Sequence, residues 1–286
     1  MGIRSLGYVR LGATDMAAWR AFGEDFLGMM RVEGNDPESL YFRVDHYPPR
    51  LVVSPAGEPG MTAMGFEVLN ERELVKLVGA VENEGIKVTA GTKEECAERR
   101  VTGFARFLDP GGNTVELFYG PVLDHVRVQT PLVSGFVTGE MGLGHVIVTA
   151  EDTKAEFDFY IRVLGFVERN TAGPTYFMGC NQRHHTFGIA PRPGPGGLVH
   201  IMVEMATIDD VGLALDRAAE ADIPMMYTLG KHTNDQMVSF YVYSPELYAI
   251  ECGWNGLLVE REEPTYEITE GAIWGHKFTP PPAAQS

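Results

Sequence analysis

The chain repeats itself, and that repeat limits the folds open to it more than any other feature. Leu6-Gly7-Tyr8-Val9 matches Leu143-Gly144-His145-Val146, and a Leu-Gly pair follows nineteen residues after the Tyr or His, at Leu27-Gly28 and Leu164-Gly165. Between these landmarks lie stretches with apolar residues at helical spacing, 16–26 and 154–163. A Leu-Gly at the end of such a stretch suits a helix C-terminus, where Gly takes the left-handed conformation without steric cost. Further on, Gly65-Phe66-Glu67-Val68 matches His200-Ile201-Met202-Val203, and each leads into another helix-like stretch, 73–83 and 209–219. Asp109-Pro110 precedes Glu116 at the same intervals as Ser244-Pro245 precedes Glu251, and each pair opens a turn into a short apolar strand. Each half therefore carries two similar units of strand, helix and further strands.

At the three matching points the first half has Tyr8, Gly65 and Glu116, and the second has His145, His200 and Glu251. A single histidine on a strand is more often a hydrogen-bonded core residue than a ligand. Two at corresponding repeat positions, joined by a Glu on an otherwise apolar strand, change that balance. A buried, unpaired Glu is costly, so Glu251 needs a cation or a strong donor. Two imidazoles and one carboxylate form the ligand kit of a non-heme Fe(II) site that leaves positions open for substrate and O₂. Mn(II) competes for such a set, since geometry and availability decide as much as ligand type. Glu116 meets the same demand without histidines and is expected to be satisfied by a salt bridge or by solvent.

A chain of 286 residues is long enough for two domains with sizeable cores. The expected division is 1–120 without metal, a connector over 121–142, and 143–286 with the metal. In the connector, Val133-Ser134-Gly135-Phe136-Val137-Thr138-Gly139 reads as ordered. The net charge of −16 argues against nucleic-acid binding. No apolar run approaches the length of a membrane span, and no charged-then-apolar signal region opens the sequence. Cys96, Cys180 and Cys252 fit no zinc pattern, so reduced thiols in the cytoplasm are expected, with Cys252 a buried filler facing away from Glu251. The segment Ala272 to Phe278 should dock on the body, His276 with it as a docking residue, while 279–284 should fray. Gly194-Pro195-Gly196-Gly197 is a turn, because no phosphate-loop helix follows it.

Several longer segments carry a family resemblance. They are Ile3-Arg4-Ser5-Leu6-Gly7-Tyr8, Val133 through Glu140, Asn181-Gln182-Arg183-His184-His185-Thr186, Leu229-Gly230-Lys231-His232-Thr233-Asn234-Asp235 and Trp274-Gly275-His276-Lys277. With these the chain resembles, over nearly its whole length, the two-domain type I extradiol ring-cleavage dioxygenases of the vicinal oxygen chelate superfamily, close to the 2,3-dihydroxybiphenyl 1,2-dioxygenases. The resemblance implies an α+β fold of four βαβββ modules, two per domain, with iron in the C-terminal funnel only. It points to the same His145, His200 and Glu251. It implies that His185 is the acid-base residue, that His232 and Tyr241 bond the substrate hydroxyls, and that Fe(II) and O₂ open a catechol ring beside the diol to give a yellow semialdehyde or ketone. His184 reads equally as a flanking structural residue. Thr233 and Asn234 are expected to shape the pocket, and Asp235 to orient an imidazole. A homo-oligomer, octamer or dimer, is implied by the same likeness.

Expectations about substrate follow from the apolar residues near these positions. A 3-substituted catechol is expected, with its substituent against a wall drawn from Ile147, Phe177, Met178 and Pro191. Each of these reads as readily as ordinary core packing. Only thirteen residues, 167–179, separate Phe166 from Cys180, a shorter segment than in the biphenyl-type relatives, so the entrance should be open. Arg183 and Arg192 offer no evident carboxylate clamp. Steroid catechols and 1,2-dihydroxynaphthalene are the alternative substrates. A glyoxalase-like isomerase or fosfomycin-type transferase would share the fold but lack the His184-His185 and His232 to Asp235 segments. A binding protein of this fold would have no use for a ligand triad beside an acid-base histidine.

Overall fold

The computed structural model describes residues 2–260 and 265–282. Four βαβββ units account for almost all of the regular structure. In the first half, strands Ile3–Ala13 and Gly60–Val68 pair antiparallel at the centre of an eight-stranded sheet. Each is flanked by a parallel strand, Leu51–Pro55 on one side and Thr114–Pro121 on the other. The second half repeats this in a ten-stranded sheet. Gly144–Ala150 and Gly197–Glu204 pair antiparallel, with Phe187–Pro191 and Ala249–Trp254 parallel at their outer sides. The α+β fold of four βαβββ modules implied by the resemblance is the one observed.

The helices form where the apolar spacing placed them. Glu71–Asn83 buries Leu74, Leu77 and Val81 along one stripe, and its N-terminus is capped by Asn70, which accepts from the Glu73 amide. Ile208–Glu220 buries Val211, Ala214 and Ala218, and opens with a capping box between Thr207 and Asp210. The two remaining repeat helices share an irregularity that periodicity alone did not show. Met16–Ala21 and Thr153–Phe159 are α-helical, and each widens into a π turn, Phe22–Phe26 and Tyr160–Leu164. Gly28 and Gly165 take positive φ after these turns, at 71° and 76°, as the Leu-Gly pairs implied.

One hydrophobic core runs from the first half into the second. Phe66 meets the edges of Phe166 and Phe187, with ring centroids 5.4 and 5.9 Å away. The turn after strand Val101–Leu108 adds a polar tie. Asp109 accepts from the Tyr160 hydroxyl at 2.9 Å, and the Gly111 amide donates to Glu156 at 2.6 Å. The connector is ordered, as expected: the Val137 amide donates to the Glu204 carbonyl, and Asp210 accepts from Ser134. Cys252 is buried on the side of its strand away from the site, within the hydrophobic core. Ala272–Trp274 adds a strand to Met225–His232, so the tail docks as expected, and the Thr279 amide still bonds the Met226 carbonyl. Of the stretch expected to fray, 283–284 lie outside the described residues. No helix among those described is long and apolar enough to cross a membrane.

Candidate active site

Three neighbouring strands bring the repeat-derived residues together. In strand register Met202 lies opposite His145 on one side and Glu251 on the other. His200, two residues before Met202, shares its face of the sheet. His145 Nε2 lies 2.9 Å from His200 Nε2 and 3.1 Å from Glu251 Oε2, and His200 Nε2 lies 3.5 Å from the same oxygen. Glu251 is fully buried, and among the described residues its oxygens face imidazole nitrogens, with no Lys or Arg paired to it. A buried carboxylate in that condition is expensive. A divalent cation held by the two imidazoles and this carboxylate removes the cost, so the residues fit a metal. Burial, with the neighbouring His145 adding to it, pushes His200 down to about 3, which favours the neutral form that ligates.

The first half satisfies its corresponding glutamate differently. Glu116 accepts from the Tyr8 hydroxyl at 2.6 Å and from Arg99 through two bonds of 2.7 Å. Phe118 stacks on Tyr8, and a side chain at Gly65 would run into the Tyr8 ring. The salt-bridge expectation for Glu116 is met, with an aromatic ring and a guanidinium where the second half keeps its histidines.

The remaining candidates surround the triad in two connected compartments. The inner one, about 180 Å³, is lined by the three ligand-type residues with His185, His232, Asn234, Asp235 and Tyr241. His185 stacks on His145 at a centroid distance of 4.1 Å, and its Nδ1 lies 3.8 Å from Asp235 Oδ2. His232 Nε2 is 2.7 Å from the Tyr241 hydroxyl and 3.4 Å from Glu251 Oε1. Burial alone would lower the His232 pKa. Glu251 and Asp235 outweigh it and bring the ring to about 9, while burial and then Glu251 hold the Tyr241 phenol well above its usual range. Both shifts favour the protonated forms of His232 and Tyr241.

The outer compartment, about 420 Å³, is apolar and shares Phe177, His200, His232, Tyr241 and Gly271 with the inner one. Ile147 and Phe177 line it as expected. Met178 and Pro191 do not. Met178 follows Phe177 on one strand and so faces the opposite side, into the core, where it is fully buried. Pro191 ends its strand opposite Ala150, well past the ligands, and is exposed. Arg183 is spent on a buried ion pair with Glu204, and Arg192 is exposed, so neither reaches the cavity. The short 167–179 segment is a tight hairpin of Val167–Ala172 and Thr175–Gly179, turned by Gly173 at positive φ.

Several lining residues were not expected. Val199, Met226, Tyr227 and Ala272 complete the outer wall. His276, read as a docking residue only, also packs on His232 at a ring distance of 4.1 Å. Its presence in the Trp274-Gly275-His276-Lys277 segment was the available signal. Thr233 was expected to shape the pocket, but only its neighbours His232, Asn234 and Asp235 line it. A larger groove of about 510 Å³ lies elsewhere, between Phe22, Phe26, Pro224 and Leu247, and among the described residues it holds no ligand-type cluster.

Comparison with known proteins bears on this geometry. Residues 6–56 match the family model described as dihydroxybiphenyl dioxygenase BphC D1, and 142–252 match the glyoxalase/bleomycin resistance protein/dioxygenase superfamily. An iron-dependent extradiol dioxygenase of Rhodococcus jostii (strain RHA1) is 42% identical, with 98% of each chain covered. A biphenyl-2,3-diol 1,2-dioxygenase of Paraburkholderia xenovorans (strain LB400) is 38% identical, over 97% of this chain and 96% of that protein. The crystal structure of BphC, a halotolerant catechol dioxygenase, superposes with a TM-score of 0.93 at 35% identity, covering 97% of this chain and 95% of that one. On likeness of this extent, the chain belongs to the extradiol ring-cleavage dioxygenases of the vicinal oxygen chelate superfamily.

Proposed function

We propose that the protein is an Fe(II)-dependent extradiol dioxygenase that opens the ring of a 3-substituted, uncharged catechol such as 2,3-dihydroxybiphenyl. The observation that carries this reading is a fully buried Glu251 within 3.5 Å of the Nε2 atoms of both His145 and His200, at the inner end of an apolar cavity. His145, His200 and Glu251 would hold the iron. When bound, iron supplies a common template for the catechol oxygens and O₂ and a path for electrons between them.

The chain's own residues then have distinct tasks. His232 and Tyr241, bonded to each other beside Glu251, can donate to the substrate oxygens and hold the diol in one orientation. His185, stacked on His145 and buried, can take a proton from a hydroxyl and return it later. Ile147, Phe177 and Met226 exclude water from the ring substituent, and among the described residues no Lys or Arg lines that compartment to favour a carboxylate. The outer volume is within the range of sites for small aromatic ligands.

The same reading divides the chain into domains 1–120 and 143–286 joined by 121–142, with metal in the second only. It extends to a cytoplasmic homo-oligomer, for which the three free thiols are consistent with a reducing compartment. Anaerobic reconstitution with Fe(II), followed by a catechol panel read for yellow product, tests the activity. Preference for 2,3-dihydroxybiphenyl over catechol and protocatechuate is expected. The reverse order refutes the substrate assignment, and an absence of colour with every catechol refutes the activity.

A further inference from the structure

His184 has no part in the chemistry derived so far, yet it is buried and both of its ring nitrogens are engaged. Its Nδ1 lies 3.2 Å from His185 Nδ1, and its Nε2 lies 3.3 Å from the Tyr266 hydroxyl. That hydroxyl donates to the Asn234 carbonyl oxygen at 2.9 Å. The four groups form a chain with one fixed end, because a carbonyl can only accept. Tyr266 therefore offers its oxygen, not its proton, to His184, and His184 must donate from Nε2. A neutral imidazole that donates from Nε2 accepts at Nδ1, so the proton between the two histidines belongs to His185 Nδ1. Asp235 Oδ2, at 3.8 Å from that nitrogen, is beyond hydrogen-bond reach and cannot set the tautomer in its place.

We propose that His184 and Tyr266 are positioning residues that hold His185 in the Nδ1–H tautomer and so leave its Nε2 lone pair free for a substrate proton. This rests on the reading of His185 as the proton-handling group. It assigns a task to the second histidine of the pair and to a tyrosine 81 residues away from His185 in sequence. Tyr266 is held in place by its short strand, whose residues Tyr266–Glu267 pair with Asn170 and Thr171. Without its hydroxyl, His184 could turn its own proton toward His185 and displace the one that matters.

The test combines kinetics with nitrogen NMR. Tyr266→Phe should lower kcat about fivefold, the factor of one ordinary hydrogen bond, with KM for 2,3-dihydroxybiphenyl unchanged. His184→Leu should lower kcat at least as far. His184→Asn should stay near the wild-type rate, because its amide oxygen accepts from His185 Nδ1–H whatever Tyr266 does. Adding Tyr266→Phe to His184→Asn should then cost nothing, a result that a merely structural Tyr266 would not give. In the full chain loaded with diamagnetic zinc, the His185 Nδ1 should show the shift of a protonated ring nitrogen, and Tyr266→Phe should blur it. A His185 proton found on Nε2 overturns the proposal, as does an equal loss from Tyr266→Phe in both backgrounds. If His185→Gln is slow while Tyr266→Phe and His184→Leu run at full rate, the inference fails and the acid-base reading stands. If His185→Gln runs at full rate, that reading fails and takes the inference with it. Should His184→Leu not fold, Tyr266→Phe, at a partly exposed position, still decides.

Discussion

Replacing Arg99 with methionine should destabilise the protein strongly while leaving its chemistry alone. Arg99 is buried and forms two bonds of 2.7 Å with Glu116, which is itself only 1% exposed. Methionine fills much of the same space but leaves the carboxylate with Tyr8 alone. Removing one partner of a buried pair typically costs about 3–5 kcal/mol, because the remaining charge is uncompensated. For a chain of this size that corresponds to a fall in Tm of roughly 6–10 °C. Thermal and urea unfolding of the iron-loaded enzyme would measure it, with iron content and kcat determined on the same samples. Iron content should remain at one per chain and kcat within about twofold, since Arg99 pairs, among the described residues, only with those of the first half, Glu116 and Glu98 included, and supplies mostly stability. A second substitution, Glu116→Leu, should recover most of the loss by removing the stranded charge, since apolar replacement of both partners is often neutral. An unchanged Tm would refute the claim that Glu116 depends on Arg99. Loss of iron with the fold intact would refute the separation of the two glutamate sites.

Three further outcomes are expected. Alanine at His145, His200 or Glu251 should abolish iron retention, measured by metal analysis, with wild-type protein holding one iron per chain and two contradicting the assignment. His185→Gln should keep iron and bind catechol yet lose about 10²–10⁴ in kcat, with Tyr241→Phe milder; loss of the metal from His185→Gln would put that residue among the ligands. Burial, followed by the neighbouring Asp109, raises Glu156 from 4.5 to about 10, so the folded chain holds a proton that the unfolded chain releases. Its contribution is thus fully present below pH 4.5 and is lost as pH rises towards 10, and Glu156→Gln should flatten this part of a urea-unfolding series over pH.

The metal cluster was legible because it depends on residue type at equivalent strand positions, and strand register carries those positions into space with little distortion. His145, His200 and Glu251 needed only three adjacent strands in order. The cavity wall was less legible, since it is assembled from segments with no sequence relation to the ligands. Met226 and Tyr227 come from the start of one strand, and Ala272 and His276 from the tail that pairs with it. Alternation explains both a success and a failure. Ile147 stands two residues from His145 and shares its face, whereas Met178 adjoins Phe177 and cannot. The π turns that end two helices were invisible because one extra residue in a turn barely disturbs an apolar stripe.

The glycine opposite Tyr8 dictates an order of events for anyone wishing to give the first half a metal of its own. A Cβ at Gly65 would come within 2.3 Å of the Tyr8 ring, so a histidine cannot enter there while the tyrosine stands. Tyr8 must give way first. Arg99 would then compete with the incoming cation for Glu116, and it must leave before any ion can bind. Each of those two early steps strips a partner from Glu116 before a metal can replace it. The route back to a duplicated centre therefore descends in stability before it rises, and single substitutions screened one at a time will not find it.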